Sequence, residues 1–231
     1  MAKYNRMTVL NRMISSGLVP VFYNNDVEVA VNVIEACLEG GACCIEFTNR
    51  GDQADQVFGE LIRRFLKDDR LILGVGTILD PHTAAIYIQH GSNFVISPDF
   101  NSDVAIECNL RKIAYSPGCA SVTEINNALR YGVEICKVFP GGEVGGPKFI
   151  RSVRGPLPWV SLMPTGGVAP EQENIDEWIG AGAVCIGMGS KLISRDLVKT
   201  KDFSTISENV RKVLAWIKEA REIHGIHPVL S

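Results

Sequence analysis

The chain has no long hydrophobic run. Nowhere in its 231 residues does an apolar stretch approach the roughly 20 residues needed to cross a bilayer, and no basic start leads into an apolar segment. A soluble, cytoplasmic protein with no membrane partner is expected. Charge of one sign is also missing. The net charge is −3, with both signs spread along the chain, so there is no basic field to hold a nucleic acid. An anionic small molecule would need local positive charge instead. Histidine is scarce: His82, His90, His224 and His227 are the four, and none falls at the C-terminal end of a predicted strand. His82 reads as first-turn helix and His90 as helix terminus. No metal site is expected from such a set. The seven cysteines form no C-x-x-C pair; Cys43, Cys44, Cys136 and Cys185 lie in apolar runs and read as reduced, buried core thiols.

What is present is alternation. Eight short apolar runs, 19–22, 43–47, 71–74, 94–97, 112–115, 135–139, 159–163 and 184–187, are separated by longer stretches of helical period, the pattern of repeated β-α units around a parallel sheet. Glycines at 41, 91, 132 and 182 precede the following runs, where a left-handed residue ends a helix. An open doubly wound sheet shares the alternation, but eight units with no G-x-G-x-x-G after the first run favour a (β/α)₈ TIM barrel. The length suits one such domain, which takes roughly 250 residues. The expected arrangement is a single domain over 1–231, with a barrel core at about 18–200. A short helix at 3–15 closes the bottom, and an amphipathic helix at 205–224 packs outside through Ile206, Val210, Val213, Leu214 and Ile217.

Strand side chains alternate in direction, so Ile135, Lys137 and Phe139 share one face and Cys44, Glu46 and Thr48 share another. Lys137 and Glu46 thus both point into the barrel. Burial disfavours an ammonium and lowers its pKa, which is what a nucleophilic amine needs. A strand lysine can also snorkel to solvent or form a structural ion pair with a carboxylate. Arg50 follows the second run, in a loop where barrels gather active-site residues, and could take a 2-keto acid carboxylate in bidentate fashion. Two glycine loops, Pro164-Thr165-Gly166-Gly167 and Gly187-Met188-Gly189-Ser190, follow the seventh and eighth runs, the second at an expected helix start. They suit either phosphate binding or simply tight turns.

Together these residues closely resemble the family of 2-keto-3-deoxy-6-phosphogluconate (KDPG) and 4-hydroxy-2-oxoglutarate (KHG) aldolases. The resemblance spans about 18–190. It rests on Glu46-Phe47-Thr48-Asn49-Arg50, Gly74-Val75-Gly76-Thr77, Ile96-Ser97-Pro98, Pro117-Gly118, Cys136-Lys137-Val138-Phe139-Pro140 and the two glycine loops, all in family order. It implies a metal-independent class I aldehyde-lyase that works without a cofactor on a small 2-keto acid and assembles as a homotrimer. It further implies that Lys137 forms the Schiff base and Glu46 moves protons. Arg50, Thr77 and Thr165 would hold the pyruvyl portion, with Pro98 and Phe139 also against the substrate. Gly166, Gly167, Gly187, Gly189 and Ser190 would bind phosphate.

Two positions depart from the family pattern: Asp99, where glycine is usual, and the loop Gly141-Gly142-Glu143-Val144-Gly145-Gly146. A carboxylate at 99 would repel an anionic substrate if it reached the mouth. The competing readings are a related sugar-acid aldolase using another aldehyde, a phosphate-binding barrel isomerase, and a barrel that binds a sugar phosphate without turnover. The last of these gives no reason to keep a buried charge.

Overall fold

The computed structural model describes residues 2–227; the first residue and the last four of the expected 1–231 domain lie outside them. The chain opens with α1 (Arg6–Ser16), β1 (Leu18–Phe22), α2 (Val27–Glu39), β2 (Cys44–Thr48), α3 (Ala54–Arg64), β3 (Ile72–Gly76) and α4 (Pro81–His90). Next come β4 (Phe94–Ile96), α5 (Ser102–Arg111), β5 (Ala114–Ser116), β6 (Gly118–Cys119), α6 (Val122–Arg130), β7 (Ile135–Val138) and α7 (Gly146–Arg154). It ends with β8 (Ser161–Pro164), α8 (Gln172–Gly180), β9 (Ile186–Met188), α9 (Arg195–Lys199) and α10 (Phe203–Ile223).

Side-chain caps start the helices. Asp26 accepts from the N–H groups of Glu28 and Val29, Asp80 accepts from that of Thr83 just before Pro81, and Asn101 accepts from those of Asp103 and Val104. At α6 the Ser121 hydroxyl accepts from Glu124 N, and the Glu124 carboxylate accepts from the Ser121 hydroxyl and from Ala120 N, a variant of the capping box. At the other ends, Gly41, Gly91, Gly132 and Gly182 all adopt positive φ, as their positions before strands suggest.

All strand pairs are parallel, in the order β5-β4-β3-β2-β1-β9 and β6-β7-β8. Pro117 interrupts what is otherwise one strand between β5 and β6, because it brings no N–H to the ladder; its carbonyl still accepts from Lys137 N at 2.9 Å. A bridge between Thr165 and Gly187 joins β8 to β9. Every strand therefore neighbours the next in sequence and the last neighbours the first, which is a closed barrel of eight strand positions and not a doubly wound sheet.

Two cores follow from the period-2 pattern. Outward residues such as Ile45, Phe47, Cys136 and Val138 pack under the helices, while Val19, Cys44, Ile72, Ile135, Met163 and Cys185 fill the barrel interior. The bottom is plugged by Val9, Leu10, Met13 and Ile14 of α1. Arg221, buried on α10, donates to the carbonyls of Ile14 (2.6 Å), Ser15 (2.9 Å) and Val184 (2.9 Å), satisfying carbonyls that the end of α1 leaves unpaired. The outer helix is thereby tied to the barrel floor.

Several local expectations need correction. Lys112 is not in a strand: it ends α5 at φ 57, and the fifth strand begins at Ala114. Trp159 is exposed, so the seventh run becomes regular only at Ser161. Cys43 is half-buried, although Cys44, Cys136 and Cys185 are fully enclosed. The Gly187–Ser190 segment does not open a regular helix. The chain makes one turn, with Leu192 and Ile193 N–H bonded to Gly189 O, and Ser194, in an extended conformation, then caps the separate short α9. Among the described residues no helix is long and apolar enough to cross a membrane.

Candidate active site

Each residue singled out in the sequence lies within a strand or in the loop at its C-terminal end, and they occupy two depths. Lys137 and Glu46 are inside the barrel, 6% and 1% exposed. Both directions agree with the parity argument, since Ile135 and Cys44, two residues below them on the same faces, belong to the interior core. Above them opens a cleft of about 880 Å³, lined among others by Thr48, Arg50, Phe139, Thr165, Gly166, Gly167, Gly187, Gly189 and Ser190. Thr77 and Pro98, in the loops after β3 and β4, are half-buried and do not line it. Asp99 is exposed and is not among the residues that line the cleft.

The barrel makes room for Glu46 by omitting side chains. Ile72, Gly74 and Gly76 of β3 face inward, and Glu46 is in register with Gly74. A methyl group on Gly76 would overlap Glu46 Oε1, and one on Gly74 would overlap the Phe94 ring. Gly118, beside Lys137, leaves space for a different neighbour. It pairs with Lys137 in register, and a side chain there would collide with the Pro98 carbonyl. The alternation of the Gly74-Val75-Gly76 segment carried this information, but the glycines' role became legible only when the facing residues were known.

Burial sets the electrostatics. Desolvation pushes the Glu46 carboxyl above its usual range, and the nearby Lys137 and Arg50 charges only partly oppose this. Desolvation pushes the Lys137 amine below its usual range, with Glu46 opposing and Arg50 adding. Both groups thus move toward their neutral forms. Among the described residues they form no direct ion pair or hydrogen bond with each other or with a third side chain, so neither is held in a fixed structural pair. The Lys137 ammonium position lies 4.7 Å from the centroid of the Phe139 ring, an apolar wall on the same face.

Three further features mark the region, two of them on the cleft wall. Thr165 Oγ1 is buried and, among the described residues, without a hydrogen-bond partner, an uncommon state for a hydroxyl that a bound oxygen would relieve. Thr77 holds φ 63, a strained conformation for a β-branched residue. The glycine loop after β8 is fastened to the one after β7: Gly141 and Gly142 donate to the carbonyls of Thr165 and Gly166 at 2.9 and 3.0 Å. A Cβ on Gly167 would come within 2.6 Å of Gly142 Cα, so the close approach requires glycine on both sides. The N–H groups of Gly166, Gly167, Gly189 and Ser190 make no backbone hydrogen bond among the described residues, leaving donors that can face an anion. Sequence reasoning overlooked Lys191, Arg195 and Lys199, which also line the cleft; as isolated surface cations they carried no signal.

Among the described residues there is no group of histidine, cysteine, aspartate or glutamate able to hold a metal ion.

The family model described as KDPG and KHG aldolase matches residues 9–209. The 2-dehydro-3-deoxy-phosphogluconate aldolase of Treponema pallidum (strain Nichols) is 31% identical over 201 residues, covering 87% of this chain and 93% of the relative. The KHG/KDPG aldolase of Escherichia coli (strain K12) is 30% identical over 217 residues, covering 93% and 99%. Among solved structures, KDPG aldolase from Legionella pneumophila, with pyruvate captured as a covalent carbinolamine, superposes with a TM-score of 0.81 at 27% identity, covering 91% of this chain and 98% of that one. With a family match across most of its length and an inward strand lysine at the centre of its site, this chain belongs to the KDPG and KHG aldolase family.

Proposed function

We propose that the protein is a class I aldolase. It would reversibly cleave 2-keto-3-deoxy-6-phosphogluconate to pyruvate and glyceraldehyde 3-phosphate, or 4-hydroxy-2-oxoglutarate to pyruvate and glyoxylate, through a Schiff base on Lys137. The observation that carries this reading is the buried, unpaired Lys137 beside Glu46 beneath an open cleft. A structural lysine at this depth would be expected in an ion pair with its carboxylate neighbour.

In the mechanism, the neutral Lys137 amine attacks the C2 carbonyl to form a carbinolamine, whose hydroxyl leaves as water with a proton from the Glu46 carboxyl, giving a protonated imine and a Glu46 carboxylate. Glu46, or a water it holds, removes the proton from the C4 hydroxyl. The C3–C4 bond then breaks, its electron pair passes toward the imine nitrogen, and the aldehyde leaves. The resulting enamine takes a proton at C3, and water hydrolyses the imine to release pyruvate and restore the amine. Glu46 suits the proton steps because a carboxyl raised by burial exchanges protons closer to neutral pH. Arg50, Thr77 and Thr165 would hold the pyruvyl end, with Pro98 and Phe139 also against the substrate. The N–H groups of Gly166, Gly167 and Gly189, with Gly187 and Ser190, would receive a phosphate.

The chain would act as one domain and as a homotrimer in the cytoplasm. Self-association is supported by the exposed apolar side chains of Ile86 on α4 and of Ile106 and Leu110 on the neighbouring α5. Sodium borohydride reduction in the presence of pyruvate, followed by peptide mapping, tests the central assignment. A reduced pyruvyl adduct on Lys137 is expected; folded protein without an adduct would return the chain to the isomerase or non-catalytic readings.

A further inference from the structure

Arg50 lines the cleft on an exposed loop, and among the described residues its guanidinium makes no hydrogen bond or ion pair. The loop that carries it also lacks the usual local fastening. Helix α3 starts behind Gln53, which holds φ 59 and offers no side-chain cap. Where the guanidinium stands therefore depends on how firmly the backbone on either side of Arg50 is held.

Each side meets a tyrosine. The Asn49 N–H donates to the Gly76 carbonyl at 2.8 Å, and its side-chain Oδ1 accepts from Tyr87 Oη of α4 at 2.9 Å. On the other side, the hydroxyl of Tyr23, from the loop after β1, lies against Gly51: a methyl group on Gly51 would overlap Tyr23 Oη. The two tyrosines end a single aromatic row. Ring centroids are 5.6 Å apart for Tyr23 and Phe47, 6.1 Å for Phe47 and Phe58, and 5.2 Å for Phe58 and Tyr87, separations at which rings attract. Phe47, Phe58 and Tyr87 are buried, and burial raises the Tyr87 phenol above its ordinary pKa, so it stays a donor. The row thus touches residues 49 and 51 and leaves the one between them facing the cleft. Tyr87 itself does not line that cleft, so its reach to a ligand runs through Asn49.

We propose that this aromatic row positions Arg50, with the Tyr87–Asn49 hydrogen bond setting where the guanidinium takes the carboxylate of a 2-keto acid. The proposal rests on the aldolase reading for the identity of that anion. A guanidinium binds a carboxylate best through two parallel N–H···O bonds, which demand a set position and plane. Loosening one flank of the loop costs the second bond before it costs the charge. Tyr87 and Asn49 are positioning residues in this scheme, and neither touches the substrate.

The test compares wild type, Tyr87→Phe, Arg50→Ala and the double variant. Tyr87→Phe keeps the ring in the row and removes only the hydroxyl. Binding of pyruvate and of its uncharged ester, methyl pyruvate, is measured by calorimetry, and borohydride trapping is followed against pyruvate concentration. Tyr87→Phe should weaken pyruvate binding about three- to tenfold and raise the half-saturating concentration for trapping by the same factor. Methyl pyruvate binding and the trapping rate at saturation should stay within about twofold of wild type. In the Arg50→Ala background, adding Tyr87→Phe should change pyruvate binding by less than about twofold, the mark of an effect that acts through Arg50. Asn49→Ala breaks the same bond from its other end and should reproduce the result; it decides the matter if Tyr87→Phe does not fold. Unchanged pyruvate binding, an equal loss for methyl pyruvate, or the same loss with and without Arg50 overturns the proposal. Wild type that binds pyruvate without giving an adduct would sink the aldolase reading while the double-variant comparison still decides the positioning. Wild type that binds no pyruvate overturns both.

Discussion

The Glu46 side chain reaches past its register partner Gly74 to lie against Gly76: a methyl group on the Gly76 Cα would overlap Glu46 Oε1. The position of a buried acid is thus set by a missing side chain on the next strand. Gly76→Ala should force Glu46 off its present rotamer without opening the barrel. We expect kcat to fall by about 10²-fold, the cost of misplacing a reacting group by an ångström, with the far-UV circular dichroism spectrum preserved. A rate within a factor of about two of wild type would mean that Glu46 tolerates displacement and does not act from this geometry.

Lys137→Met should abolish both turnover and borohydride trapping. Because the amine is buried and unpaired, the substitution removes a desolvated polar group and leaves a side chain of similar length, so the melting temperature should match or exceed that of wild type. Residual activity near the wild-type level would assign the chemistry to another residue.

Glu46→Gln should lower the rate by about 10² to 10⁴ if the carboxyl shuttles protons, and it has a second, independent signature in stability. The folded pKa of Glu46 lies above the ordinary carboxyl value of 4.5. Glu46 therefore favours the fold fully below pH 4.5, and that contribution is lost as pH rises through the raised folded value. At pH 8 the glutamine variant should melt at a higher temperature than wild type, and the difference should shrink as pH falls toward 4.5. A difference that stays constant with pH would show that burial does not perturb this carboxyl.

The pH dependence of adduct formation reports on Lys137. Its amine is held below the usual lysine range by burial, and only the neutral form attacks a ketone. The rate of pyruvate trapping should rise with pH and level off below the ordinary lysine value of 10.5. A midpoint near that ordinary value would mean that the amine is solvated in solution.

Thr165→Val tests the unpartnered hydroxyl. Removing a buried group that makes no hydrogen bond should leave stability within about 1 kcal/mol of wild type or improve it, while the lost bond to an anionic ligand should raise KM by about 10- to 100-fold. Loss of stability with unchanged KM would make Thr165 a structural residue of the β8–β9 bridge.

The sequence by itself determined the features governed by short-range periodicity. Alternation along 135–139 and 43–47 was enough to place Lys137 and Glu46 on inward faces, because side-chain direction in a strand has period two wherever the strand sits. The glycines at 41, 91, 132 and 182 marked helix ends for an equally local reason. Boundaries such as Lys112 and the break at Ser194 were less legible, since a left-handed cap at lysine and a one-turn stop have no strong composition signal. Tertiary structure alone decided what required two distant segments to meet. Gly76 yields to Glu46, the loop after β7 is zipped to the loop after β8, and Lys191, Arg195 and Lys199 converge on a wall with no acid to answer them. These depend on which atoms are absent, or which charges stay unpaired, at a contact between strands far apart in the chain, and only barrel closure brings those strands together.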